Sequence, residues 1–205
     1  MPVLCEPLNE LQKDALKEIA NIGAGHAMMA LGNMTGETYN MSVPRIGFQL
    51  LSDYPPELGD PESPAAAVFM PVDGDAPGHA AFVLSYSSAI ALTNLLLGKN
   101  KEDENEMGDI ENSALSEVGN ILISSFLNAV SEMTGLTLSA SPPGVAVDMG
   151  GAIIASIVSI TDLEWEQVLA ITTRMDDIDH PIEGVFLFIP EPSSLPILFK
   201  SLGME

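Results

Sequence analysis

Apolar positions over residues 9–33 recur at the three-to-four-residue spacing of a helix that buries one side. Leu16, Ala20, Gly23, Ala24, Ala27 and Leu31 share that side, so the spacing predicts one long helix from about Asn9 to Asn33. The pattern returns over residues 109–133, where Leu115, Val118, Leu122, Phe126 and Ala129 form the apolar side. Asp109 or Asn112 is the expected cap of this second helix, which reaches about Met133. Elsewhere the pattern shortens to apolar runs bounded by Gly, Pro and Asp, which predict strands. The expected strands are Arg45–Leu51, Ala66–Val72 and His79–Ser85, then Ile153–Ile160, Val168–Arg174 and Gly184–Ile189. Each half closes on a short helix, first Ser87–Leu97 stopped by Gly98, then about Ser194–Leu202.

The polar sides of the two long helices repeat one another. Asp14, Glu18 and Asn21 return as Ser113, Glu117 and Asn120, each 99 residues later, and proline follows 23 residues after each Asn, as Pro44 and Pro143. Farther on, Ser88–Gly98 resembles Ser193–Gly203 at an offset of 105. Self-similarity at a fixed offset predicts a repeated unit. The expected organisation is a single domain, residues 1–205, made of two repeats at about 1–100 and about 109–205. The polar stretch Lys99–Asp109 between them reads as a solvated linker.

Helical geometry groups the repeated residues. With Asp14 at zero and about 100° per residue, Glu18 lies near ~40°, Asn21 near ~−20° and Gly25 near ~20°. Ser113, Glu117, Asn120 and Ser124 occupy the same stripe of the second helix. One such stripe is what any surface helix shows. Two at matched spacing argue for a task, because Asn has no propensity reason to sit in mid-helix. An exposed Glu and Asn one turn apart suit a substrate carried in by a partner, such as a phosphorylated carboxylate that already holds its own metal. Phosphoryl transfer has a loose transition state and needs placement of an in-line water more than a strong base. A carboxamide can hold that water with both its donor and its acceptor. It also brings no negative charge near the phosphoryl oxygens. The Glu can stay ionised and pair with a cation beside the phosphoryl group.

Charge changes the choice of partner. The 205 residues hold 29 Asp and Glu against 7 Lys and Arg, a net charge of −22. Such a field repels nucleic acid and anionic lipid. The acidic residues are spread along the chain, which fits adaptation to high salt, where screening removes much of their repulsion. The one cysteine, Cys5, excludes an intrachain disulfide. Met1–Leu11 lacks the basic and apolar pattern of a signal peptide, and Ala152–Ile160 is too short to span a bilayer. A cytoplasmic protein is expected.

The pattern Asp/Ser-x3-Glu-x2-Asn-x22-Pro, carried twice, resembles the signature of the CheC/CheX/FliY family of chemotaxis phosphatases, over essentially the whole chain. Asn21-Ile-Gly-Ala-Gly25 resembles the first helix of that family, whereas Asn120 is followed by Ile-Leu-Ile-Ser. Two copies without a further domain resemble its CheC branch more than flagellar-switch members such as FliY. The resemblance implies an α/β (α+β) fold, with two long helices related by a pseudo-two-fold axis and packed on a mainly antiparallel sheet. It implies hydrolysis of the aspartyl phosphate of the response regulator CheY. Glu18 and Glu117 would contact a lysine of the regulator, and Asn21 and Asn120 would orient the attacking water. Asp14 and Ser113 open the two motifs and are taken as partner-binding. Mg2+ would belong to the regulator, and no cofactor of the chain's own is implied. The resemblance also implies binding of the receptor deamidase CheD, with Asp148 at that interface. A CheD-binding module with weak phosphatase activity is the alternative, and a monomer is expected.

Other signals are weaker. Gly23-Ala-Gly25 interrupts a helix rather than following a strand, so close helix packing is expected there rather than a nucleotide loop. His26, His79 and His180 lack ligand-like spacing, and Asp176, Asp177 and Asp179 read as a solvated turn rather than a calcium loop. Eleven methionines read as core filling, and Trp165 carries no functional argument.

Overall fold

Asn9 begins the first helix by exchanging bonds with Gln12: the Gln12 amide donates to Asn9 Oδ1 at 2.9 Å and the Asn9 amide to Gln12 Oε1 at 3.0 Å. A computed structural model describes residues 9–36, 38, 40–50, 53–99, 106–161, 167–176, 182–191 and 193–203. Helix α1 spans Glu10–Thr35 and helix α3 spans Asp109–Thr134, 26 residues each, so both ends repeat at the offset of 99. Left-handed Gly36 and Gly135 stop them at the same offset, with φ of 78° and 72°. The cap of α3 is neither Asp109 nor Asn112. Gly108 holds that place, and its amide donates to Glu111 Oε2 at 3.0 Å. Gly108 has no side chain to cap with, so the buried Glu111 carboxylate makes only the reciprocal half of a capping box.

The strands are β1 (Asn40–Leu50), β2 (Pro64–Gly74), β3 (Gly78–Ser85), β4 (Leu138–Ala140), β5 (Gly144–Met149), β6 (Gln167–Asp176) and β7 (Ile182–Pro190). Helices α2 (Tyr86–Leu97), α4 (Gly150–Thr161) and α5 (Ser194–Ser201) complete the described elements, with a short 3-10 turn at Pro56–Leu58. The described sheet runs β1-β6-β7-β3-β2, with β4 and β5 both on the outer edge of β2, and every pairing is antiparallel. One row of opposed residues crosses it from edge to edge: Ile46, Ile171, Phe186, Phe82, Val68 and Val145. Exchanging β1, β2 and β3 with β5, β6 and β7 returns the same order. The fold is of the α+β kind with a mainly antiparallel sheet, as expected.

Both faces of the sheet are covered. On one, α1, α2, α3 and α5 enclose the larger core, which includes Leu31, Leu115, Ile123, Phe82 and Phe188. On the other, Leu58 and the α4 residues Ile153, Ile154 and Ile157 pack on Ala67, Val83, Val185 and Leu187. The central strands are therefore apolar on both sides, which is why their sequences read as unbroken runs.

The strand expected at Ile153–Ile160 is a helix. Its β-branched content favours a strand locally, but the buried positions Gly150, Ile153, Ile154, Ile157 and Thr161 follow helical spacing. The second face of the sheet needed a cover, and tertiary burial decided the state. β4 and β5 had no assigned strand. The expected linker overlaps residues 100–105, outside the described residues, as do Cys5, Trp165, Asp177, Asp179 and His180.

Candidate active site

α1 and α3 lie side by side on the sheet because their contact is built for close approach. A side chain at Gly23 would stand 2.9 Å from the Phe126 Cα. Phe126 in turn packs on Phe186 and Phe188, with ring centroids 4.6 Å and 5.9 Å away. The Gly23 of the apparent nucleotide loop is thus a packing glycine. With their apolar sides seated on one another and on the sheet, both helices turn the repeated stripe outward.

On α1 the structure leaves Asp14, Glu18 and Asn21 exposed on one face. On α3 Ser113 and Glu117 are exposed and Asn120 is half-buried. Glu and Asn stand three residues apart in each helix, about 4.5 Å along the axis. The two stripes differ in four ways. Ser113 Oγ donates to the Asp109 carbonyl at 2.8 Å, so this hydroxyl is turned toward its own helix, whereas an ionised Asp14 has no proton to donate in that way. Ser124 Oγ reaches Asn120 Oδ1 at 3.4 Å, whereas the matching residue on α1 is Gly25. Lys13 and Lys17 flank the first stripe where Asn112 and Ser116 flank the second. Finally, the second stripe borders an open cleft lined by Asp109, Asn112, Ser113, Ser116, Glu117 and Val145.

Asp148 lies apart from both motifs. It is exposed on β5, opposite Ala65 of β2, and its Oδ1 accepts from the Met149 amide at 2.7 Å. Val145, at the cleft, is three residues away, about 10 Å along the strand. The structure therefore brings the Glu–Asn pairs together as two stripes and leaves Asp148 on the sheet edge.

Two residues at the stripes were missed by the sequence reading. Leu11 is 66% exposed and Ile110 is 64% exposed. They precede Asp14 and Ser113 by three residues and differ by the same offset of 99, which was the signal that could have found them. No cluster of metal-ligating side chains forms among the described residues, and no described helix is long and apolar enough to cross a membrane.

Residues 11–47 and 110–147 match the CheC-like family, each segment carrying one Glu–Asn motif. A protein of Bacillus subtilis (strain 168) named CheY-P phosphatase CheC is 31% identical over 203 residues, covering 96% of each chain. The chain belongs to the CheC-like family. Its fold is that of Thermotoga maritima FliY, with a TM-score of 0.78, 21% identity, and 96% and 98% of the two chains covered. CheX of Borrelia burgdorferi, solved in complex with CheY, BeF3 and Mg2+, matches with a TM-score of 0.51 and 19% identity, covering 85% and 97%.

Proposed function

We propose that this protein is a phosphatase that hydrolyses the aspartyl phosphate of phosphorylated CheY, using Asn21 and Asn120 to place the attacking water. The observation that carries this reading is the pair of outward Glu–Asn stripes at one offset on two helices whose other sides are buried. The relative named CheY-P phosphatase, 31% identical over nearly the whole chain, supports it. Glu18 and Glu117 pair with a cation of the regulator and fix the docked geometry. Asp14 and Ser113 border that contact, and Leu11 and Ile110 form its apolar margin. Mg2+ stays with the regulator, where it neutralises charge on the phosphoryl oxygens. The CheX structure holds CheY and Mg2+ together, in keeping with that division of labour.

The deciding assay follows loss of phosphate from phosphorylated CheY with the wild type, Asn21→Ala, Asn120→Ala and the double variant. Removing one positioning hydrogen-bond group from an active site costs about a hundredfold or more in turnover at that site. The double variant is expected to fall by about that factor, and a double variant as fast as the wild type would sink the assignment.

A second reading, binding of CheD, is favoured by the sheet edge. Among the described residues β5 pairs only with β2, and it presents Val147 and Met149, 40% and 52% exposed, around Asp148. Asp148→Lys would abolish CheD capture while leaving phosphatase activity intact. The acidity, spread along the chain, supports a further proposal, that the protein works at high salt; we also propose that it is a cytoplasmic monomer.

A further inference from the structure

We infer that Ser124 is a positioning residue of the second site: its hydroxyl holds the Asn120 carboxamide in one orientation, and Gly25 leaves Asn21 without an equivalent. The inference rests on the phosphatase reading and deepens it. Ser124 Oγ lies 3.4 Å from Asn120 Oδ1, one helical turn away. A mid-helix serine often donates back to the carbonyl four residues earlier, as Ser113 and Ser156 do at 2.8 Å. Ser124 donates to the side chain there instead. In the structure the oxygen end of the amide faces Ser124, with the hydroxyl as donor. The nitrogen end is thereby turned to the other side, and Oδ1 keeps one lone pair for a water. Asn120 is half-buried as well, so fewer rotamers are open to it than to the exposed Asn21. The second amide is ordered before the water is placed, and the first must be ordered as the water is placed. That difference belongs in turnover rather than in affinity, since the water is placed only in the reacting complex.

Gly25 offers the reciprocal experiment. A side chain there would meet nothing within 4 Å, and its backbone is helical, so Gly25→Ser fits without displacing a neighbour. Each site is read alone, with phosphorylated CheY as substrate: the second in an Asn21→Ala background and the first in an Asn120→Ala background. Ser124→Ala is expected to lower kcat of the second site about three- to tenfold, the scale of one hydrogen bond, with KM unchanged. Ser124→Thr, which keeps a hydroxyl, is expected to restore most of it. Gly25→Ser is expected to raise kcat of the first site by a similar factor, and Gly25→Ala, without a hydroxyl, to leave it unchanged. Alanine suits a helix, so the loss in Ser124→Ala is not a folding defect. The inference is overturned if Ser124→Ala keeps the parental kcat, if threonine does not restore it, or if Gly25→Ser gives no gain. An inactive Asn21→Ala parent also overturns it, because the hydroxyl would then hold an idle amide. These failures leave the phosphatase reading standing, whereas a fully active Asn21→Ala/Asn120→Ala protein removes that reading itself.

Discussion

Leu11 and Ile110 are large aliphatic side chains left in water at the first turn of each long helix, on the face that carries the Glu–Asn pair. A stable protein contact covers about 800 Å² per partner, a patch wide enough to take in a residue 10 positions from Asn21, some 15 Å along the helix. Covering part of such a side chain is worth about 1 kcal/mol. Leu11→Ala and Ile110→Ala are therefore expected to raise KM for phosphorylated CheY about fivefold at the affected site, with kcat held. The Asn variants should move kcat instead. Steady-state kinetics of the single-site proteins separates the two effects, and a change in kcat alone for Leu11→Ala would remove that residue from the docking margin. The lysines divide the sites too. Lys13 pairs with Glu10 at 2.8 Å, and it stands with Lys17 beside Glu18, for which we propose the task of attracting a cation. The second stripe has Asn112 and Ser116 there, so in the proposed docking Glu117 would meet a cation of the regulator without that competition.

At the scale of elements, the crossing of α1 and α3 sets how the two stripes face outward, and Gly23 sets the crossing. Gly23→Val would push side-chain atoms into the Phe126 backbone, 2.9 Å from the added Cβ. Overpacking of this kind costs about 1–3 kcal/mol, and backbone cannot yield as a flexible side chain does. A lowered denaturation midpoint is expected, with activity reduced at both stripes because the helices separate. Normal stability in Gly23→Val would show that the contact is loose. The repeated proline also finds its reason at this scale. Pro44 lies within β1 and Pro143 just before β5, and both strands are outer strands of the described sheet. A residue without an amide hydrogen is tolerated there because no ladder bond is lost. In β1 the pairing register shifts between Ser42 and Arg45, around that proline.

For the whole molecule, two titrating groups and the net charge give separate tests. His79 is partly buried against Phe69, with ring centroids 5.2 Å apart, and burial lowers its pKa despite the opposing charge of Glu191. The unfolded chain then takes up this proton first, from about pH 6.5 downward, so stability is lost as pH falls through that range. His79→Phe should flatten the fall in melting temperature between neutral and mildly acid pH. Glu111 acts in a lower window. Its bond to Lys99, at 2.5 Å, holds its pKa below the ordinary value of 4.5, helped by the Gly108 amide. The stability it contributes is complete above that value and lost as pH falls through the folded one. Glu111→Gln should remove that acid limb while loosening the corner between α2 and α3 at neutral pH. Thermal melts across pH distinguish the two. A third series of melts tests the salt proposal: with a net charge of −22, molar KCl should raise the melting temperature, and equal stability in dilute buffer would count against it.

The sequence by itself determined what depends on spacing within a few helical turns. The two long helices, the faces they bury, the Glu–Asn stripes and their offset were all legible, because periodicity acts through neighbours along the chain. Most strands were legible for the same reason, although β1 begins at Asn40, before the expected Arg45. Tertiary structure alone decided the rest. The Ile153–Ile160 run became part of α4 because the second face of the sheet had to be covered. Glu111 bonds the amide of the cap residue Gly108 because Lys99, just beyond α2, keeps its carboxylate charged in a buried place. The sequence already showed Gly25 against Ser124 behind the two motifs, and the structure added how far each Asn is covered. Asn21 faces open solvent, and Asn120 sits half-covered beside a hydroxyl and a cleft. The hydroxyl is a neighbour along the helix and so is written in the sequence, whereas the burial and the Val145 wall of the cleft come from contacts across the fold, which a pattern along one helix does not encode.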